Sequence, residues 1–551
     1  MDLLRRVGDG FWRVSDGALL GTLTLLALVL RVPRLGIRYW GDEAISVGIA
    51  SRPLDQIPHF LRFDGSPPLY YVVLHMWMAA FGTSELATHS LSLVISLSAI
   101  PAAWWCAKEV LGPATARPAA LIASVFPYLT YYGTETRMYV LVGTLSMVAV
   151  AAWAQALRAP SDRRWLALAV VASAAVLYTH NWGLYLVGAC TFVGLVRARA
   201  GGDRAVLRAS VTYAGAVGLA YLPWVPSLWW QVGNTGAPWA PRPSVGDLVA
   251  DPVNAAFSAS WVVVVACLLV AVRAMWVASR TGNEGTGPGR SATGPHRGLT
   301  GPGRSRPGGS RVAGAGRLGN PLAVLALVVV VVIVAGWLVA QVVHSWAPRY
   351  LGVALLPAVL AMAGVLAASA MGRRCLPVVA LAMAATALPV MLDPPAAAAS
   401  KSNVATVDAA MSGQLVPGDL VITTAVAELP AIAYYLPPGL RYATPIGLVS
   451  DPRIVDWQDL PARLSAADPT TGLADLLASV PAGGHVLLVD PLRWGGTETP
   501  PRYEGTVAAE GIAASNDVLG DPAYTVVRTI RPPDKSAVAN PVEGILFRKT
   551  G

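Results

Sequence analysis

Asp42 and Glu43 stand side by side in the stretch Trp40-Gly41-Asp42-Glu43, within ten residues of an apolar run that ends near Arg34. A charge at the bilayer centre costs roughly 2.5–3.5 kcal/mol, so acids beside a membrane-length run lie at the interface or serve a function. A solvated loop pair is the plain alternative. The apolar residues 44–50 that follow predict a short interfacial helix with the acids at its N-terminus, where backbone N–H groups favour a carboxylate. A carboxylate held at a membrane surface is what a general base requires. Two arginines add a second function. Arg137 lies in Tyr132-Gly133-Thr134-Glu135-Thr136-Arg137-Met138-Tyr139 and Arg349 in Pro348-Arg349-Tyr350, each between two apolar runs. Such an Arg either snorkels to lipid phosphates or binds the phosphate of a substrate. Two of them with an acidic pair suggest a site that holds an anionic head group beside a base.

Further residues of suitable type flank these. Asp64-Gly65-Ser66-Pro67-Pro68-Leu69-Tyr70-Tyr71 reads as a turn leading into a helix. His180, in Tyr178-Thr179-His180-Asn181-Trp182, ends a span and is kept as a lining residue, because a lone His more often packs than catalyses. Trp224, Trp229, Trp230 and Trp239 read as an interface belt that also suits the border of a sugar or lipid groove. No Walker loop, no G-x-G-x-x-G after a strand, no H-E-x-x-H and no serine elbow is present.

The elements that must position these residues are membrane spans. Of 551 residues, 54% are hydrophobic and 13% charged, against about 25% charged in soluble domains. Apolar blocks near or above the roughly 18-residue span length predict about eleven transmembrane helices, placed near 17–34, 86–107, 118–132, 138–157, 165–179, 182–196, 208–228, 259–278, 320–341, 350–370 and 375–393. No cleavage site follows the first run, which therefore reads as an uncleaved span. The net charge of +9 fits basic inner loops, and no groove motif supports nucleic-acid binding. The four cysteines, Cys106, Cys190, Cys267 and Cys375, lie in or beside apolar segments and imply no disulfide framework or metal cluster.

Orientation follows from the loops. The N-terminus and loops 108–117, 158–164, 197–208 and 373–374 are basic and face inward. Residues 279–317 hold seven Arg against one Glu and read as a disordered cytoplasmic linker. The alternate loops, carrying Asp42-Glu43, Glu135, Arg137, His180 and Arg349, then face outward. The apolar segment 67–81 is too short to span without flipping every later loop, so it reads as a helix in the outer interface. Residues 1–395 form the membrane domain and 396–551 a small α/β domain on the outer face, with strands at 420–423, 486–489, 524–530 and 544–549 and a helix at 428–436.

Four stretches in this order resemble the GT-C superfamily of membrane glycosyltransferases, in particular its bacterial protein O-mannosyltransferase and lipid A aminoarabinose transferase branch: Trp40 to Glu43, Asp64 to Tyr71, Glu135 to Tyr139, and Tyr178 to His180. Arg349-Tyr350 is a weaker fifth. The resemblance covers residues 15–395. It implies a polyprenyl-phosphate sugar donor, mannose or arabinose, and inverting transfer to an extracytoplasmic hydroxyl on an envelope glycan, lipid or protein. It further implies Asp42 as general base, Glu43 as its support or an acceptor-binding group, and Arg137 and Arg349 at the donor phosphate. Asp64, Ser66, Tyr70, Glu135, Tyr139, His180 and Tyr350 would line the site. Many members carry His before the Pro-Pro pair where this chain has Ser66, which weakens any metal or acceptor role borrowed for that position. No cofactor is required, and divalent-metal use stays open. The expected location is the plasma membrane, with the N-terminus cytoplasmic. Two other readings stand beside this one. A transporter or flippase of lipid-linked sugars should show mid-membrane charges and repeats, and a scaffold would leave the outer Asp, Glu and Arg set unexplained.

Overall fold

The computed structural model describes residues 14–284, 320–393, 401–411, 413–424, 426–492, 502–532, 538 and 540–550. Among the described residues, eight helices are long and apolar enough to cross a membrane: Asp16–Arg34, Glu85–Leu111, Tyr139–Arg158, Gly183–Gly201, Arg204–Asn234, Asp247–Ala278, Pro321–Ala340 and Pro348–Ala367. The other three expected spans also fall on helices, but on shorter ones. Arg163–Thr179 has 17 residues. The stretch near 118–132 is divided into Pro113–Val125 and Pro127–Tyr132, because Pro127 drives Phe126 into an extended conformation. The last is divided into Ala370–Ala385 and Leu388–Leu392. The chain is thus a polytopic helical membrane protein. Tyr139–Arg158 and Pro348–Ala367 are the most enclosed spans, with 72% and 78% of their windows buried, against 28% for the first. Arg137 stands two residues before the first of these and Arg349 in the opening turn of the second, so the innermost helices position both.

Between the first two spans the chain forms three helices, Gly41–Ala50, Ile57–Asp64 and Leu69–Phe81. The last has 13 residues, about 20 Å at the helical rise, short of the roughly 30 Å hydrocarbon core. The linker reading for 279–317 needs one correction. Helix Trp261–Glu284 continues through 279–284, and the rest of that segment lies outside the described residues.

Among the described residues, the C-terminal sheet has six strands, β1 Leu420–Thr423, β2 Arg441–Thr444, β3 Gly447–Val449, β4 His485–Pro491, β5 Tyr524–Ile530 and β6 Val542–Lys549. Their order is β3-β2-β1-β4-β6-β5. β1 pairs parallel with β2 and β4, and the remaining pairs are antiparallel. Alternate residues face two cores. Val421, Leu487 and Val489 pack with Val404, Met411 and Ile432, while Leu420, Ile422 and Leu488 pack with Leu473, Leu477 and Val518. Strands covered on both faces read as continuous apolar runs, which is why β1 and β4 were evident in the sequence. β2 and β3, only four and three residues long, were not.

Candidate active site

Helix Gly41–Ala50 begins after the extended residue Trp40 and carries both acids in its first turn. Successive helical residues point about 100° apart, so the two carboxylates diverge. Asp42 faces a cavity of about 430 Å³ that is also lined by Asp64, Ser66, Arg137, His180 and Tyr350. Glu43 turns the other way and is fully buried.

Arg137 and Arg349 converge on Asp42. Arg349 Nη2 lies 3.5 Å and Arg137 Nη2 4.0 Å from its Oδ2. Each guanidinium is fixed from behind. Arg137 donates to the Asp42 carbonyl at 3.1 Å, to Ser46 Oγ at 2.9 Å and to Tyr139 Oη at 3.3 Å. Arg349 stacks over Trp239 at 4.2 Å, and its carbonyl accepts from Tyr128 Oη at 2.6 Å. The buried Arg349 Nε has no hydrogen-bond partner.

Asp64 accepts from Tyr71 Oη at 3.0 Å, and burial holds its carboxyl above the usual range despite Arg137 nearby. His180 packs on Tyr350 at 4.6 Å. Burial, reinforced by Arg137 and Arg349, pushes its pKa down to about 3. The ring is therefore neutral. Its Nδ1 accepts from the Trp182 N–H at 3.1 Å, which leaves the proton on Nε2.

Not every residue singled out in the sequence reaches this cavity. Glu43 and Glu135 meet around Lys401 in a buried cluster behind it, at 3.3 and 2.8 Å. Burial raises the Glu43 pKa, but Lys401 and His89 outweigh it and bring the carboxylate down to about 2. Burial dominates at Glu135 and holds it above its ordinary value. Tyr70 is buried with an unpartnered hydroxyl and does not line the cavity; Tyr139 and Arg349 do not line it either, and stand behind it against Arg137 and Asp42. Sequence reasoning missed Lys401, His89, Asn181, Gln231 and Trp457. The first was detectable as one of only four lysines (Lys108, Lys401, Lys535, Lys549) in an arginine-rich chain. Among the described residues, no group of three or more His, Cys, Asp or Glu side chains is arranged to hold a metal ion.

Residues 65–230 match the family described as dolichyl-phosphate-mannose-protein mannosyltransferase. No curated protein sequence matches the chain. Among solved structures, the chain is similar to ArnT from Cupriavidus metallidurans in the apo state, at 12% identity and a TM-score of 0.61 over 97% of this chain and 98% of that one. The same ArnT bound to undecaprenyl phosphate gives 13% identity and 0.58 over 96% and 98%. The arabinofuranosyltransferase AftD from Mycobacteria gives 14% identity and a TM-score of 0.47, over 98% of this chain and 40% of that one.

Proposed function

Taking as premise that the chain has the GT-C fold, we propose that it is a membrane glycosyltransferase that moves a sugar, mannose or arabinose, from a polyprenyl-phosphate donor to an extracytoplasmic hydroxyl. The observation that carries this reading is the Asp42 carboxylate and the Arg137 guanidinium on the wall of one cavity, with the Arg349 guanidinium paired to the same carboxylate at 3.5 Å. The mannosyltransferase family match over 65–230 and the likeness to a protein crystallised with undecaprenyl phosphate support it.

The chemistry is a single displacement. The acceptor oxygen bonds to the anomeric carbon from the side opposite the phosphate, and its proton passes to Asp42. The bond between the anomeric carbon and the phosphate oxygen breaks, and polyprenyl phosphate leaves with the electron pair. A phosphate leaving group needs little acid help, but it does need fixed positive charge where its own charge grows. Arg137 and Arg349 supply it, together with the unpartnered Nε of Arg349. Donor phosphate competes with Asp42 for the same guanidinium N–H groups, so its arrival releases the carboxylate toward the acceptor. Val339, Val343, Leu184 and Leu228 give the cavity an apolar side suited to the first prenyl units. The buried, unpartnered amide oxygens of Asn181 and Gln231 line the same space and suit the donor's sugar hydroxyls. The site faces outward from the plasma membrane, and residues 396–551 form its extracytoplasmic domain.

The test is transfer by membranes given radiolabelled polyprenyl-phosphate mannose or arabinose. Label should pass from the lipid fraction to glycan or protein with the wild type and stay in the lipid with Asp42→Asn. Equal transfer by both would remove Asp42 as base. Movement of lipid across the bilayer with no glycoside formed by the wild type would remove the enzyme reading.

A further inference from the structure

One buried side chain from beyond the last span reaches the back of the site. Lys401 is 4% exposed, and its Nζ lies 3.3 Å from Glu43 Oε2 and 2.8 Å from Glu135 Oε1. Glu43 Oε1 pairs with His89 Nε2 at 2.9 Å and accepts from the Thr136 N–H at 2.8 Å. Glu43 directly follows Asp42, and Glu135 stands two residues before Arg137. The two segments that carry the carboxylate and a guanidinium of the cavity are therefore tied to one ammonium. Backbone contacts add to the tie. A Cβ at Gly41 would lie 2.4 Å from the Ala427 carbonyl, and one at Gly48 1.9 Å from that of Arg453, so helix Gly41–Ala50 seats directly on the C-terminal backbone. Trp457 from the same region forms part of the cavity wall.

Burying an ammonium between carboxylates is a poor way to gain stability, since well-packed apolar replacements are often neutral or better, and the best-attested use of such clusters is to fix register. We propose that Lys401 is a positioning residue of the transfer site: by holding Glu43 and Glu135 it sets Asp42 against Arg137, and makes the C-terminal region part of the catalytic apparatus. The inference rests on the transferase reading above.

Full-length protein in detergent tests it with two variants. Lys401→Met leaves two buried carboxylates facing each other, and is expected to lower Tm as well as turnover. The double variant Lys401→Met/Glu135→Gln removes one of those charges, so charge balance returns without the tie. The double variant should regain most of the wild-type Tm while kcat stays at least about tenfold lower and donor KM stays within about threefold, because misplacing reacting groups costs the chemical step more than binding. Recovery of kcat in step with Tm would reduce Lys401 to a charge neutraliser and overturn the proposal. Hydrogen exchange gives a readout independent of substrate. Residues 41–50 and 133–138 should exchange faster in the double variant while 139–158 stay protected. Unchanged protection of both site segments would overturn the proposal, even if the wild type proved to transfer no sugar, an outcome that by itself contradicts only the transferase reading.

Discussion

At the scale of single residues, one helical step separates two carboxylates with different surroundings. Asp42 faces the cavity and two guanidiniums, whereas Glu43 is enclosed by Lys401, His89 and the Thr136 amide. Loss of a general base typically costs about 10²–10⁴ in rate, and that is the fall expected for Asp42→Asn in kcat with donor binding retained. Arg349→Gln removes a charge-assisted contact of about 1.5–3 kcal/mol, so donor affinity should drop by roughly 10- to 150-fold, read by titration with undecaprenyl phosphate. Glu43 gives a stability effect with a defined pH window. Its folded pKa of about 2 lies below its ordinary 4.5, so its stabilising contribution is complete above about pH 4.5 and fades as pH falls toward 2. The Tm gap between wild type and Glu43→Gln should therefore be wide at pH 7 and narrow at pH 3. His180, held neutral with its pKa near 3, should leave no inflection between about pH 5 and 8 in kcat/KM. An inflection near 6.5 that disappears in His180→Asn would contradict its placement.

At the scale of elements, the site depends on close backbone approach where side chains are absent. A Cβ on Gly352 would lie 2.3 Å from Tyr128 Oη, the hydroxyl that donates to the Arg349 carbonyl. Gly352→Ala should therefore push the short helix Pro348–Leu351 and its guanidinium out of place. Transfer should fall by about tenfold or more, as expected when a fixed group moves by a fraction of an ångström, and Tyr128→Phe, which removes only the hydrogen bond, should cost less. Equal activity of Gly352→Ala and wild type would separate Arg349 from the reaction.

At the scale of the whole molecule, the order of spans was legible because hydropathy and loop charge act over many residues, and every expected span falls on a helix. The break at Phe126 was legible in principle from Pro127. The helix bearing Asp42 and the cavity members Arg137, Ser66, His180 and Tyr350 were likewise recoverable, since an isolated charge or polar turn between apolar runs stands out. The inward direction of Glu43 and Glu135 was not, because it depends on Lys401, which follows Glu43 by 358 residues. Gly41 and Gly48 gave no hint either, since their partners are backbone carbonyls at Ala427 and Arg453. The expected orientation is checked by single cysteines in a background without native ones. Ser244→Cys should react with a membrane-impermeant maleimide from outside intact cells, and Ser161→Cys only after permeabilisation; the reverse pattern would turn the cavity to the cytoplasm.

The most direct measurement is an experimental structure with undecaprenyl phosphate bound. The phosphate should lie between Arg137 and Arg349, within hydrogen-bond reach of Arg349 Nε and beside Asp42, with the prenyl chain leaving past Val339 and Val343. A phosphate bound elsewhere, with both guanidiniums still paired to Asp42, would contradict the assignment of this cavity as the donor site.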